Sequence, residues 1–395
     1  MAGRLPMGQK ELLRSKMLEM VKQGQVTLKA AAITLKTSYR QGKRLYAAYL
    51  KEGDAGLVHG NCGKKSNNRL EEAVREKAVK AYRQRYSDFG PTFAAEKMSE
   101  AEGIAISVSS LRRVLIEAGE WKKKKRGKEY RSRRERRGRF GELIQFDGSH
   151  HKWFEGRGPA CCLMTMIDDA TNIRLGRFFE QETTEAAMTV FSYWIRSYGI
   201  PEALYCDKKN AFVLTRDPTD AELLEGILEP KSHFGRACDK LGVQVIAANS
   251  PQAKGRVERN HGVDQDRLVK ELRLAGISTI AEANRFLEET YLPKMNMKFS
   301  RPPAEEFDAH VPLGKTSLKE ILCFEYERKI SNDYVVRFEK SLFQILKTNK
   351  ALPRPKDKVL IRVLLDGSLS IFWKGIKLLF KELTNTRSQK IPDVA

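Results

Sequence analysis

Three carboxylates stand where chemistry could be done. Asp147 ends the run Leu143-Ile144-Gln145-Phe146-Asp147, and Asp207 ends Ala203-Leu204-Tyr205-Cys206-Asp207. Both read as acids at the C-terminal ends of short buried strands. A buried carboxylate without cationic company is expensive, so such acids call for a counter-ion. The third, Glu258, belongs to Asn249-Ser250-Pro251-Gln252-Ala253-Lys254-Gly255-Arg256-Val257-Glu258-Arg259-Asn260-His261. This stretch reads as a helix start, with Ser250 as N-cap and Pro251 at the first helical position. Glu258 then lies about two turns in, at ~3.6 residues per turn. Three and four positions away on its face are Lys254, Gly255, His261 and Gly262. Each helical glycine costs about 1 kcal/mol relative to alanine, so two on one face suit the close approach of something large. Taken alone, Glu258 reads equally well as a solvated glutamate on a polar helix. Three carboxylates with no histidine–cysteine cluster beside them suit a hard, oxygen-seeking ion such as Mg²⁺.

Positioning these acids requires strands before a helix, and the chain supplies them. Cys161–Ile167 and Ile173–Phe179 read as strands joined by Asp168-Asp169-Ala170-Thr171-Asn172, whose two aspartates read as turn formers. An amphipathic helix follows, with Ala187, Val190, Phe191, Trp194, Ile195 and Tyr198 on one face. The Asp207 strand, a helix near His233–Leu241, a strand Val243–Ala247 and the Glu258 helix complete the set. The order predicts a mixed sheet with helices on both faces.

Gln145-Phe146-Asp147-Gly148-Ser149, Cys206-Asp207-Lys208-Lys209-Asn210 and Ser250-Pro251-Gln252-Ala253-Lys254-Gly255-Arg256-Val257-Glu258 resemble the three acidic motifs of the DDE transposases and retroviral integrases. The likeness spans roughly Phe140 to Tyr291, and the third motif is the most specific. It implies a ribonuclease-H-like core over 140–299. It also implies that Asp147, Asp207 and Glu258 hold two Mg²⁺ about 3.5–4 Å apart, with Mn²⁺ able to substitute. Lys254 and Arg259 would hold a DNA end, and His261 would meet a phosphate or Glu258, or serve structure alone. Fifty residues separate Asp207 from Glu258, more than the integrase-like pattern has. The excess lies near Leu214–Lys231, is rich in acids, and reads as a surface insertion.

Charge sets the front of the chain apart. Residues 1–140 hold 34 Lys and Arg against 15 Asp and Glu, whereas the remaining residues hold 38 against 35. A basic front on a near-neutral body fits a polyanion partner. Residues 1–60 read as a helix-turn-helix module. Leu12, Leu13, Met17, Met20 and Val21 give a first apolar face, and a short helix carries Leu28, Ala31, Ala32 and Leu35. A basic helix capped by Ser38 then runs to Lys51, with Tyr46, Tyr49 and Leu50 inward. Ser38, Arg40, Gln41, Lys43 and Arg44 would face a DNA groove. Gly60–Asn68 reads as a linker. A second helical DNA-binding unit spans 69–121, its last helix offering Arg112 and Arg113 to phosphates. A generic three-helix packing unit is the alternative for the first module.

Residues 122–139 hold twelve Lys or Arg, among them Lys123, Lys124, Arg126, Arg133 and Arg134. Such a run repels itself and stays extended without a polyanion; it reads as a solubilising linker or, from its position between the basic modules and the core, as a strand that tracks a DNA backbone. Behind the core, residues 315–384 alternate as strands and read as a small β-barrel, SH3-like by analogy, before a loose tail from Asn385. The fold class is thus multidomain α+β. No apolar run suits a membrane span and no leader is evident, so a cytoplasmic protein without a membrane partner is expected. The six cysteines lack a C-x-x-C pair and read as reduced thiols. His59 and Cys62 have only half of a zinc spacing.

The resemblance implies a transposase that binds the ends of its element, frees 3′-OH ends and joins them to target DNA. Double-stranded DNA and a homo-oligomer, dimer or higher, are the partners it implies. Two rivals stay open: a DNA-binding regulator whose core no longer cuts, and a nuclease that cuts without joining.

Overall fold

A computed structural model describes residues 7–59, 61–62, 70–122, 135–207, 212–214, 216–224, 226, 228–247 and 255–383. The expected Ser250–Pro251 helix start, Lys208–Asn210, most of the 60–68 linker and the 385–395 tail fall outside these residues. Two compact units result, residues 1–123 and 124–395.

In the first unit, α1 (Gln9–Lys22), α2 (Leu28–Thr34) and α3 (Tyr39–Glu52) form a three-helix group. Thr27 caps α2 and Ser38 caps α3, each hydroxyl accepting an orphan backbone N–H. Gly42 lets the two helices close up, since a Cβ there would lie 3.2 Å from the Ala32 Cβ. The expected inward face of α1 is corrected. Leu12 and Leu13 are half exposed, and Leu18 is the buried residue. Two polar clasps set this rotation: Ser15 donates to Asp54, and the Tyr49 hydroxyl to Glu19. Leu50, expected inward, is exposed as well. A second group comprises α4 (Glu72–Arg85), α5 (Pro91–Glu102) and α6 (Val108–Glu117). Pro91 opens α5 at its first position, and Ser107 caps α6. The core is aromatic: Tyr82, Tyr86, Phe89 and Phe93 are all buried.

The second unit is built on a five-stranded mixed sheet. Its strands are β1 (Ile144–His151), β2 (Cys161–Asp168), β3 (Arg174–Phe179), β4 (Ala203–Cys206) and β5 (Gln244–Ala247), in the order β3-β2-β1-β4-β5. The first three pair antiparallel, and β1, β4 and β5 run parallel. Strand β2 is buried along its whole length, so its alternate residues feed two cores. Cys162, Met164 and Met166 pack with α7 (Thr184–Tyr198) and α9 (His233–Lys240) on one face. Cys161 and Leu163 pack on the other face with α10 (Gly255–Leu274), α11 (Ile280–Phe286) and α12 (Leu292–Phe299). Helices on both faces are what the sequence predicts. Within the long 207–258 connection lies a short helix, α8 (Asp220–Leu224), pinned by a two-pronged Arg216–Glu222 pair.

Residues 300–311 return to the sheet instead of leaving it. The Ala309 N–H donates to the Phe140 carbonyl, Val311 bridges Ile200, and the buried His310 ring accepts from Trp194 Nε1 at 3.1 Å. After α13 (Leu318–Ile321) come β6 (Cys323–Lys329), β7 (Val335–Phe338), β8 (Ser341–Ile345), β9 (Lys358–Leu364), β10 (Leu369–Trp373), β11 (Ile376–Leu378) and β12 (Phe380–Leu383). They make a four-stranded sheet, β11-β10-β9-β6, and a three-stranded one, β12-β8-β7, over one shared core. Among the described residues these sheets do not close, which corrects the expected barrel.

Glu325 of β6 fastens this C-terminal part to α9. It accepts from Lys240 at 2.7 Å and Arg362 at 2.8 Å, and lies 3.1 Å from Arg236. Burial pushes the Glu325 carboxyl up, but the three cations outweigh it and hold the group below the ordinary glutamate range. Glu325→Ala is expected to cost about 2–3 kcal/mol, less than a fully buried pair because its cations are partly exposed. The stabilisation is complete above pH ~4.3 and is lost as pH falls through the lowered folded value. Urea unfolding of wild type and variant should therefore converge in acid.

Candidate active site

One face of β1 runs in step with α10. Gln145, Asp147 and Ser149 alternate along the strand and so share a side. Gln145 Oε1 accepts from the Val257 N–H at 3.1 Å, Asp147 Oδ2 lies 3.8 Å from His261 Nδ1, and Ser149 accepts from Gln265 at 3.1 Å. Two strand residues advance about 6.6 Å and four helix residues about 6.0 Å, so the three contacts recur with little drift. Glu258 follows Val257 and lies one turn before His261, which places it beside this seam. It is exposed, whereas Val257, Asn260 and His261 are buried.

Strand β4 brings the other aspartate. Ile144 pairs with Leu204 and Gln145 with Tyr205 in parallel register. The same register sets Asp147 level with Asp207, one residue past β4, on strands about 4.8 Å apart. Both are half-buried. Asp147 itself corrects an expectation, because β1 continues to His151 rather than ending there. What ends near Asp147 is the pairing with β4.

Searched against family models, the chain has no match. It is 35% identical over 382 residues to the candidate transposase y4bF of Sinorhizobium fredii, covering 96% of this chain and 82% of that protein. It is 30% identical over 359 residues to the transposase for insertion sequence IS1202 of Streptococcus pneumoniae, covering 82% of this chain and 75% of that one. The chain belongs to the insertion-sequence transposases. Among solved structures, the HTLV-2 integrase catalytic core in complex with magnesium is similar at 19% identity and TM-score 0.29, over 38% of this chain and 84% of that one. The BIV integrase catalytic core is similar at 20% identity and TM-score 0.27, over 44% and 91%.

In this transposase the turn acids have structural work. Asp168 accepts from the Gly141 N–H and from the Thr171 N–H and hydroxyl, and burial pushes its carboxyl up against those bonds. Asp169, fully buried, accepts from Gln145 at 2.8 Å and from Arg256 at 2.5 Å, and from the Arg137 N–H at 2.9 Å. The sequence marked both as turn formers, but not that Asp169 would reach the first turn of α10. Nor did it mark Gln145, Ser149, Arg256 or Gln265. Their one legible signal is polarity on positions that the strand and helix periods turn inward.

The other residues singled out in the sequence are spread over the transposase. Ser38, Arg40, Gln41, Lys43 and Arg44 are exposed at the start of α3, Arg112 and Arg113 on α6, and Arg259 on α10. His261, read as meeting a phosphate or Glu258 or as serving structure alone, has its Nδ1 3.8 Å from Asp147 Oδ2. Lys123, Lys124, Arg126, Arg133, Arg134 and Lys254 lie outside the described residues. The described end of the basic run departs from a free tracking strand. Arg136 donates to the Asp169 and Ala170 carbonyls, and Arg139 pairs with Glu142 and Glu202. Arg136 is thus satisfied by the β2–β3 turn, and Arg139 by acids just before β1 and β4.

Helix α10 is also held by β3. Arg174 of β3, 2% exposed, donates to Asp264 at 2.8 Å and to Asn260 at 3.3 Å, and Tyr291 donates to Asp264 at 2.7 Å. The guanidinium lies over the Tyr291 and Phe299 rings. Burial pushes the Asp264 carboxyl up, opposed by Arg174 and Tyr291. Arg174→Met is expected to cost about 3–5 kcal/mol because it strands a buried carboxylate. Adding Asp264→Leu should restore much of that loss. The single variant's deficit should shrink as pH falls toward the unfolded aspartate value of about 3.9, where both states carry the proton. Urea titrations at several pH values measure both effects.

Proposed function

We propose that this transposase cleaves DNA at the ends of its element and joins the freed 3′-OH to target DNA, using Asp147, Asp207 and Glu258. The observation that carries the reading is the shared register of Asp147 and Asp207, with Glu258 on a helix fixed in step with β1. The donor set is hard carboxylate oxygen, which fits Mg²⁺ and not a thiophilic ion. Bound there, two such ions would supply a polarised phosphate, an activated water or 3′-OH, and a stabilised leaving oxygen. His261 bears on Asp147 and orients its carboxylate. Asp207 would supply the second carboxylate from the neighbouring strand, and Glu258 the third from the helix. Among the described residues nothing lies within 4 Å of where a side chain would start at Gly255 or Gly262, which suits the approach of a duplex to this helix face. Arg259, with Lys254, holds the DNA end.

The three-helix groups are read as helix-turn-helix modules that select element ends, α3 through Arg40 and Arg44 and α6 through Arg112 and Arg113. The basic run between module and core adds phosphate contacts that position without specifying sequence. The small C-terminal sheets bind DNA or a second subunit. The working compartment is the bacterial cytoplasm, at the nucleoid. No helix among the described residues is long and apolar enough to cross a membrane.

Asp147→Asn, Asp207→Asn and Glu258→Gln are each expected to abolish cleavage and joining while leaving end binding near wild type. A neutral amide keeps the shape but loses the charge that holds the ion. Asp266→Asn, two turns along α10, is the active control. A labelled-end strand-transfer assay decides: near-normal joining by any one of the three removes that residue from the assignment. Cleavage without joining in wild type would point to a nuclease, and binding without cleavage to a regulator.

Two ends joined in one event require two active sites, and two-fold pairing is the commonest arrangement of identical subunits. A Glu258→Gln subunit mixed with an Arg40→Ala, Arg44→Ala subunit should recover activity that neither has alone. No recovery, with one subunit per end by light scattering, would sink the assembly in trans.

A further inference from the structure

Strand β1 has a second polar face. Gly148 and His150 alternate with Asp147 and Ser149, so they face the α7 side of the sheet. His150 is the ladder partner of Cys162 on β2. Glu182, just before the Thr183 cap of α7, reaches the same point, with its Oε2 3.4 Å from His150 Nε2. One donor atom from each of His150, Cys162 and Glu182 lies within 4.8 Å of the other two. The Glu182 side chain is 6% exposed and Cys162 is buried, while His150 stands at the exposed rim. Gly148 makes the room, since a Cβ there would come within 2.8 Å of the Glu182 carboxyl carbon.

We propose that His150, Cys162 and Glu182 form a second metal site, on the sheet face opposite Asp147 and Asp207, for a thiophilic divalent ion of the zinc class. Sulfur, imidazole nitrogen and one carboxylate are a donor set that zinc accepts and magnesium does not. The three ligands come from β1, β2 and the entrance to α7, all parts of one packed corner, so little chain need be ordered on binding. On loading, the Cys162 thiol loses its proton to solvent as the metal–sulfur bond forms. The neutral His150 ring binds through Nε2, and Glu182 binds as carboxylate. Three protein ligands leave a fourth position for water, reached past the exposed edge of His150. The ion would join the two strands three residues from Asp147. This site does not depend on the reading of the three acids as catalytic.

The rival is a plain His150–Glu182 ion pair above a core thiol, and cobalt separates the two. Full-length protein titrated with Co²⁺ in excess Mg²⁺ is expected to bind one ion. Its spectrum should show a thiolate-to-cobalt charge-transfer band and the strong visible bands of tetrahedral cobalt. Zn²⁺ should displace the ion and raise the melting temperature. Cys162→Ala should remove the charge-transfer band. His150→Ala, at an exposed position that folding tolerates, should weaken cobalt binding by at least about tenfold. Cys62→Ser removes the exposed thiol and should leave the band intact. No charge-transfer band in wild type, a band surviving Cys162→Ala, a band lost in Cys62→Ser, or unchanged affinity in His150→Ala would each overturn the site.

Discussion

Everything at the candidate active site depends on the seam between β1 and α10. A carboxylate on a helix can meet carboxylates on strands only if the helix neither slides nor rolls. Sliding is opposed by three contacts at matched intervals: Gln145 to Val257, Asp147 to His261 and Ser149 to Gln265. Rolling is opposed by Arg174, which grips Asn260 and Asp264 from β3. A slip of one helix residue would rotate every side chain by about 100° and break all of these together. Polar groups suit this task better than apolar packing does, because a buried donor without its acceptor costs about 1–3 kcal/mol. Apolar contacts on α10, through Leu268, Val269 and Leu272, supply burial but tolerate small shifts.

The sheet topology serves the same end. Strand β1 is central, so it has β2 on one side along its whole length and β4 on the other for only two described residue pairs. Where that parallel pairing stops, the strands carry Asp147 and Asp207 at one level. An aspartate in a fully paired, covered strand would have no path to a ligand. At the point where the described pairing ends, each keeps a rigid backbone and is half-buried rather than covered.

Much of this was legible in the sequence, for reasons that can be named. The Ser38 cap acts through a backbone N–H three residues away, and β-strand alternation is local too. Local rules therefore placed the start of α3 and the core strands. The length of β1 was not legible, because Gly148-Ser149-His150-His151 has little strand character of its own. It is held by eight register partners in β2 that lie 10 to 24 residues away. The polar seam was hidden for the same reason on a larger scale. Gln145 and Val257 are 112 residues apart, and Arg174 and Asp264 are 90. Leu12 and Leu13 misled in the opposite direction: their spacing suits an inward face, but Ser15 and Glu19 hold α1 turned another way.

Asp169 then has a meaning that a turn former lacks. Its carboxylate accepts from the backbone of Arg137, at the end of the basic run, and from the side chain of Arg256, in the first turn of α10. Gln145 reaches the same carboxylate while holding Val257. One buried anion therefore joins the segment that leads into β1, the strand that carries Asp147 and the helix that carries Glu258. Arg136 adds to the arrangement, since burial and the nearby Arg301 and Arg256 charges lower its pKa, and Asp169 and Asp168 offset them. The Asp169 carboxylate sits between these cations. The end of the linker and the start of the acid-bearing helix thus share a single electrostatic support, and a pull on one is resisted by the bonds that set the other.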